Sequence, residues 1–203
     1  MASAFAHAAA STAIGVACGL SRKQWRLLLL GACCAVMPDL DSLGFWAGIA
    51  YDHPLGHRGA SHSVAAAVLV GLASHALLSR DGAAWERHRI GVYCFLATLS
   101  HGLLDAMTNG GLGVAFFFPF SNERYFFPVR PIEVSPLEPT RFFTWRAVRI
   151  LVTEALWVGI PSVLLGAGMR WYRRRAGFVA ARPAEVRVTS RSDDRADRLN
   201  PPL

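Results

Sequence analysis

Five apolar stretches divide the chain: about Ala8 to Leu20, Trp25 to Met37, His62 to Ser79, Ile90 to Met107 and Ala147 to Gly168. They predict an all-α protein, a multi-span membrane helical bundle of about five apolar helices. Only the last stretch is long enough by itself to cross the ~20 residues of a lipid core. The first two either extend into their polar flanks or keep their ends below the lipid headgroups.

The polar residues between these stretches sort by sign and type. Arg22, Lys23 and Arg26 separate the first two, Arg80, Arg87 and Arg89 separate the third and fourth, and Arg170, Arg173, Arg174 and Arg175 follow the fifth. The positive-inside rule makes these three clusters cytoplasmic. Arg58, Arg124, Arg130 and Arg141 fall on the opposite side and vote against it. With this threading, residues able to bind a cation gather at the outer, periplasmic face. His7 starts the first stretch, Asp39 and Asp41 end the second, His57 and His62 open the third, and His101 and Asp105 close the fourth. Glu154 sits two turns into the fifth, measured from the same face.

Composition agrees with a membrane setting. The chain has 203 residues, 53% of them hydrophobic and only 17% charged, where soluble domains usually carry nearer a quarter charged residues. The net charge of +7 comes largely from arginines near the C-terminus and reads as topology. Nucleic-acid binding would rest on the basic tail alone, which lacks a recognition motif and interleaved aromatics, so no nucleic-acid partner is expected. Residues 1–176 form one membrane-embedded domain, and residues 177–203 form a disordered, basic, cytoplasmic tail. Cys18, Cys33, Cys34 and Cys94 lie inside apolar stretches without zinc-knuckle spacing and read as small, reduced, buried side chains. Arg22 and Lys23 follow the first apolar run instead of preceding it, which favours a retained helix over a cleaved signal.

Imidazoles and carboxylates in or beside lipid are costly unless they pair or hold a cation, and a shared metal site explains all of them at once. His101 and Asp105 are four apart and share a helix face. Pro38-Asp39-Leu40-Asp41 ends an apolar helix, because Pro38 removes a donor and disfavours helix before it. In His57-Arg58-Gly59-Ala60-Ser61-His62-Ser63, Ser61 is the expected N-cap of the third helix, Gly59 permits close backbone approach, and Arg58 offers a donor fork suited to phosphate or carboxylate. His75 reads as an interhelical packing residue, His88 as solvated and His53 as a loop residue. Glu154 is a metal ligand, a partner of a ligand histidine, or a partner of Arg149 or Arg58. The connection from Thr108 to Trp145, rich in Phe and Pro, lies in the interface or covers the site.

At these residues the chain resembles the YdjM-like inner-membrane proteins, a family of metal-dependent hydrolases. The resemblance covers about residues 1 to 170. It rests on His7, the Pro-Asp-x-Asp, the His-Arg-Gly-x-x-His-Ser, the Ser-His-x-x-x-Asp, and Pro119-Phe120-Ser121 followed by Arg124-Tyr125. That family is in turn distantly similar to zinc-dependent phospholipase C and related single-strand nucleases, helical enzymes holding a zinc cluster. This similarity implies Asp39, His62, His101 and Asp105 as core ligands and His7 as an N-terminal one. Those enzymes carry a second His-x-x-x-Glu pair, whereas Ile150 stands four residues before Glu154 here. One or two ions, zinc first and manganese second, are therefore expected in place of three.

The reading that follows is an inner-membrane, metal-dependent hydrolase cleaving an ester, most plausibly a phosphoester of a lipid or lipid-linked substrate. Its metal ligands are His7, Asp39, His62, His101 and Asp105, with Glu154 added. Asp41 accepts the proton of a metal-activated water or orients a ligand histidine, Arg58 stabilises phosphoryl charge, and His57 is a ligand or the acid for the leaving group. The alternative is a non-catalytic metal-binding membrane protein with a structural, sensing or transport role. The lipid bilayer is a partner on either reading; the sequence does not give the oligomeric state.

Overall fold

The computed structural model describes residues 1–77, 84–136 and 145–176. Among the described residues it contains five α-helices, counting Trp145–Arg175 as one, and no β-strand, only the isolated bridges Thr108 to Ile132 and Val114 to Tyr125. Helix α1 (Ala4–Ala17) is capped by the Ser3 hydroxyl, which accepts from the Ala6 N–H at 3.4 Å. Helix α2 (Trp25–Val36) stops one residue before Met37-Pro38, as the proline predicts. The chain does not turn away there. It continues as a 3-10 helix, Met37–Ala47, and ends at Gly48 with a φ of 75°. Proline is compatible with this because it sits in the first turn, where its missing N–H is unneeded. The result carries Asp39 and Asp41 forward on ordered backbone.

Helix α3 (Val64–Leu77) begins after a 3-10 turn, Ala60–His62. Its cap is Ser63, whose hydroxyl accepts from the Ala66 N–H at 3.1 Å, so the expected capping role of Ser61 is wrong by two residues. Ser61 instead points its hydroxyl at Asp41. Helix α4 (Ala84–Ala106) packs against α1, α2 and α3. Helix α5 (Trp145–Arg175) contains a π-helical turn, Ala155–Gly159, that packs on α1.

The packing is built from small residues. Ala6, Ala13, Cys34, Ala35, Ala67, Cys94 and Ala97 are buried, while Leu69, Leu72, Val163 and Leu164 are exposed. Small residues between helices and large apolar ones outside are what lipid solvent favours, since burying a leucine away from hydrocarbon brings little gain. A Cβ on Gly31 would lie 2.1 Å from the Tyr93 hydroxyl oxygen, and one on Gly71 would lie 2.9 Å from the Gly91 carbonyl oxygen, so glycine sets both helix spacings. Two helical stretches are long and apolar enough to cross a membrane, Arg22–Ala47 and Trp145–Arg175. The first gains its length from the 3-10 extension, which apolar run length alone does not reveal. All four cysteines are free, and Cys33 is exposed on α2 rather than buried as expected.

The chain separates into two compact units, Met1–Arg170 and Trp171–Leu203. The expected tail, 177–203, lies outside the described residues.

Candidate metal centre

The ends of α1 to α4 that approach one another carry the predicted ligands. Asp39 follows α2, His62 precedes α3, and His101 and Asp105 lie in the last two turns of α4. Each offers one ligand atom, and these four atoms all lie within 4.8 Å of one another. All four residues are buried, with Asp39 the most exposed at 8%.

Hydrogen bonds fix which ring atoms face inward. His101 Nδ1 lies 2.6 Å from the Ala35 carbonyl oxygen, which can only accept, so Nδ1 carries the proton and Nε2 presents a lone pair. His62 Nδ1 hydrogen-bonds the Ser61 hydroxyl oxygen at 3.0 Å, the Ser61 hydroxyl donates in turn to Asp41 Oδ2, and Asp41 Oδ2 itself lies 3.1 Å from the ring nitrogen. This turns His62 Nε2 toward the same point. The two Nε2 atoms stand 2.9 Å apart. Around them lie Asp39 Oδ1, 3.3 Å from His101 Nε2, and Asp105 Oδ2, 3.6 Å from His62 Nε2. Lone pairs at this separation repel unless a proton or a cation lies between them. A proton and a divalent cation thus compete for one place.

The residues present fit a divalent cation. Both oxygens of Asp39 and both nitrogens of His7 are buried without a hydrogen-bond partner, which is rare for groups so costly to desolvate. Three carboxylates, Asp39, Asp41 and Asp105, gather here, faced by the Arg58 guanidinium and the Met1 α-amino group. Neither of these cations meets the Asp39 oxygens in a hydrogen bond, which is where a divalent ion would be held.

The other candidates surround the four. His7 is fully buried, stacks on His101 with ring centroids 3.8 Å apart, and holds Nε2 3.6 Å from Asp105 Oδ1. It borders the four-residue group without belonging to it. Asp41 accepts from His57 Nδ1 at 2.7 Å, the Ser61 hydroxyl and the Arg58 N–H at 3.2 Å, and reaches His62 through Ser61. Three donors hold this carboxylate, wiring that suits orientation of His57 and, through Ser61, of His62. Asp41, His57 and His62 also form a second group spaced to hold an ion, but Asp41 is already hydrogen-bonded to His57 and, through Ser61, to His62.

Arg58 is fully buried with a left-handed φ of 63°. Its Nε donates to Asp105 Oδ2 at 3.0 Å, Nη1 to the carbonyls of Gly110 and Leu112, and Nη2 to Thr108 Oγ1. It therefore positions Asp105 and the loop after α4, a different role from the charge stabilisation expected of it. Gly59 beside it is required: a Cβ there would lie 2.2 Å from the Pro54 carbonyl oxygen. Glu154 is not brought to the cluster. Its carboxylate takes both the Ser3 N–H and the Ser3 hydroxyl, so it anchors the start of α1, and Arg149 pairs with Glu133 at 3.3 Å instead. His53 is exposed and accepts from Leu55 N, and His75 stacks on His88 at 4.9 Å.

The loop after α4 closes over this end. Ala115 N donates to the Arg58 carbonyl and Val64 N to the Phe116 carbonyl. Arg124 donates to the carbonyls of His57, Tyr51 and His53, tying the loop to the His57 segment. Sequence reading did not assign Arg124 a site role, although it stands in the Arg124-Tyr125 pair that carried part of the resemblance. Ser3 and Ser61 had no distinguishing signal, because their carboxylate partners are remote in sequence or in an unforeseen 3-10 segment.

Residues 1–177 match the YdjM inner membrane protein family. The inner membrane protein YbcI of Escherichia coli (strain K12) is 39% identical over 172 residues, which cover 83% of this chain and 96% of that protein. No solved structure matches, so the more distant likeness to phospholipase C stays an expectation from motifs. A family match from the first residue through the end of α5, joined by a relative of nearly equal extent, shows that this chain belongs to the YdjM inner membrane protein family.

Proposed function

We propose that the protein is a multi-pass inner-membrane hydrolase that uses one or two divalent ions, zinc most readily, to cleave an ester at the periplasmic face. A phosphoester of a lipid or lipid-linked molecule is the best candidate substrate. The observation that carries this reading is the buried convergence of Asp39, His62, His101 and Asp105 with unpartnered carboxylate oxygens. A cation held by these four, with His7 alongside, would acidify a water and polarise an ester oxygen. The chain's own groups do the rest. Asp41 holds His62 in its ligand tautomer through the Ser61 hydroxyl, Arg58 holds Asp105, and His57, anchored to Asp41 through Nδ1, has in its imidazolium form an Nε2–H left to protonate a leaving oxygen. The donor set is imidazole and carboxylate without cysteine, which suits hydrolytic sites better than closed structural zinc sites. Exposed Trp46 and Phe120 beside this end suit a substrate drawn from the lipid interface. Five spans, an outer site and a cytoplasmic C-terminal tail complete the proposal.

The rival is a metal site without catalysis, and the deep burial of all four ligands favours it. The two are separated by experiment. Detergent-purified protein is expected to contain about one or two equivalents of metal, and His101→Ala or Asp39→Ala to lose more than about nine-tenths of it. Unchanged metal content in both variants removes the site. Chelator-sensitive turnover of phospholipid or a model phosphodiester supports the hydrolase; none on any ester supports the rival.

A further inference from the structure

A second feature lies at the other end of the bundle. Helices α1 and α5 run parallel: Ser3 meets Glu154 near the metal centre, and Val16 faces Gly166 some three turns on. Between them runs a groove of about 580 Å³, walled by Ala9, Ala13, Gly159 and Gly166, with Arg22 and Arg170 among its lining residues. The volume falls within the range of small-molecule sites. Small residues leave it open: a Cβ on Gly166 would meet nothing nearer than Val16 at 4.0 Å. The Thr12 hydroxyl is turned back onto the Ala8 carbonyl at 2.8 Å, so it adds no polarity to the wall.

Both arginines are exposed, and neither makes an ion pair among the described residues. Their positions, after α1 and near the end of α5, place both at the end of the groove remote from the metal centre. We propose that this groove binds one anionic phospholipid, its acyl chain along the alanine and glycine wall and its phosphate between Arg22 and Arg170. The lipid belongs to the leaflet opposite the metal centre. A transmembrane helix of a second copy also fits a wall of small residues, but its apolar flank supplies nothing to two guanidinium groups. A phospholipid satisfies both halves of the groove, and anionic headgroups are attracted to nearby basic residues.

Native mass spectrometry of the full chain in detergent tests this, titrating phosphatidylglycerol against phosphatidylcholine with identical acyl chains. One phosphatidylglycerol is expected to bind about tenfold more tightly than phosphatidylcholine. Arg22→Ala with Arg170→Ala should abolish that preference, while Lys23→Ala with Arg26→Ala, equal in charge removed, should leave it. Gly166→Leu, which enters open space, should weaken both lipids. Retained metal content in each variant shows that the metal centre is intact, so this result stands apart from the hydrolase reading. Equal loss from the two arginine and lysine pairs, no effect of Gly166→Leu, or a dimer in place of the lipid adduct overturns the proposal.

Discussion

Asp41 and Arg58 commit their hydrogen bonds inside the protein, and that decides what each can do. A carboxylate held by His57, Ser61 and the Arg58 N–H is suited to orienting the rings beside it. Asp41→Asn is close to isosteric but presents an N–H where the His57 ring N–H and the Ser61 hydroxyl need acceptors. It is therefore expected to weaken metal binding about 10- to 100-fold with little loss of folded protein, measured by competition with a chromophoric chelator. Wild-type affinity in Asp41→Asn would disconnect Asp41 from His62. Glu154 offers the contrasting case. Because it caps Ser3, Glu154→Gln should cost roughly 1–3 kcal/mol of stability while metal content is retained. Loss of metal without loss of stability would return Glu154 to the ligand set.

At the scale of elements, close helix approach holds the ligand-bearing ends in register. Tyr93 crosses from α4 to meet Gly31 on α2, Ser11 on α1 and the Leu28 carbonyl. Gly31→Ala drives a methyl into that ring and should lower stability by about 1–3 kcal/mol, read as a fall in thermal midpoint in detergent. A neutral result would mean that α2 and α4 can separate without harm, and that Tyr93 does not set the distance between Asp39 and His101. The 3-10 helix Met37–Ala47 matters for the same reason: an irregular turn after Pro38 would leave Asp39 and Asp41 on mobile backbone.

For the whole molecule, the alternation of helix direction puts every ligand-bearing end together, and on the proposed multi-pass threading that end lies at one face of the bilayer. Alkaline phosphatase fused after Ala50 should be active and fused after Lys23 inactive, by the basic clusters. The reverse pattern would place the metal centre on the cytoplasmic side and leave its internal geometry untouched.

How much of this was legible in the sequence depended on range. Apolar runs gave five helices, and helical spacing gave His101 with Asp105, because both are local properties of the chain. Alternating helix direction then brought Asp39 and His62 to the same end without knowledge of any contact. Tertiary structure alone decided the rest. It sent Glu154 to Ser3, tied Arg58 into Asp105 and the following loop, turned Ser61 toward Asp41, and used Arg124 as a tie across the loop. For Glu154, Arg58 and Arg124 a long polar side chain could reach several partners, and the choice was made by which groups the fold left unpaired beside it; for Ser61 it was made by the 3-10 segment that brought Asp41 within reach. Residue type declares that a buried charge needs a partner; only the packed chain says which partner is within reach.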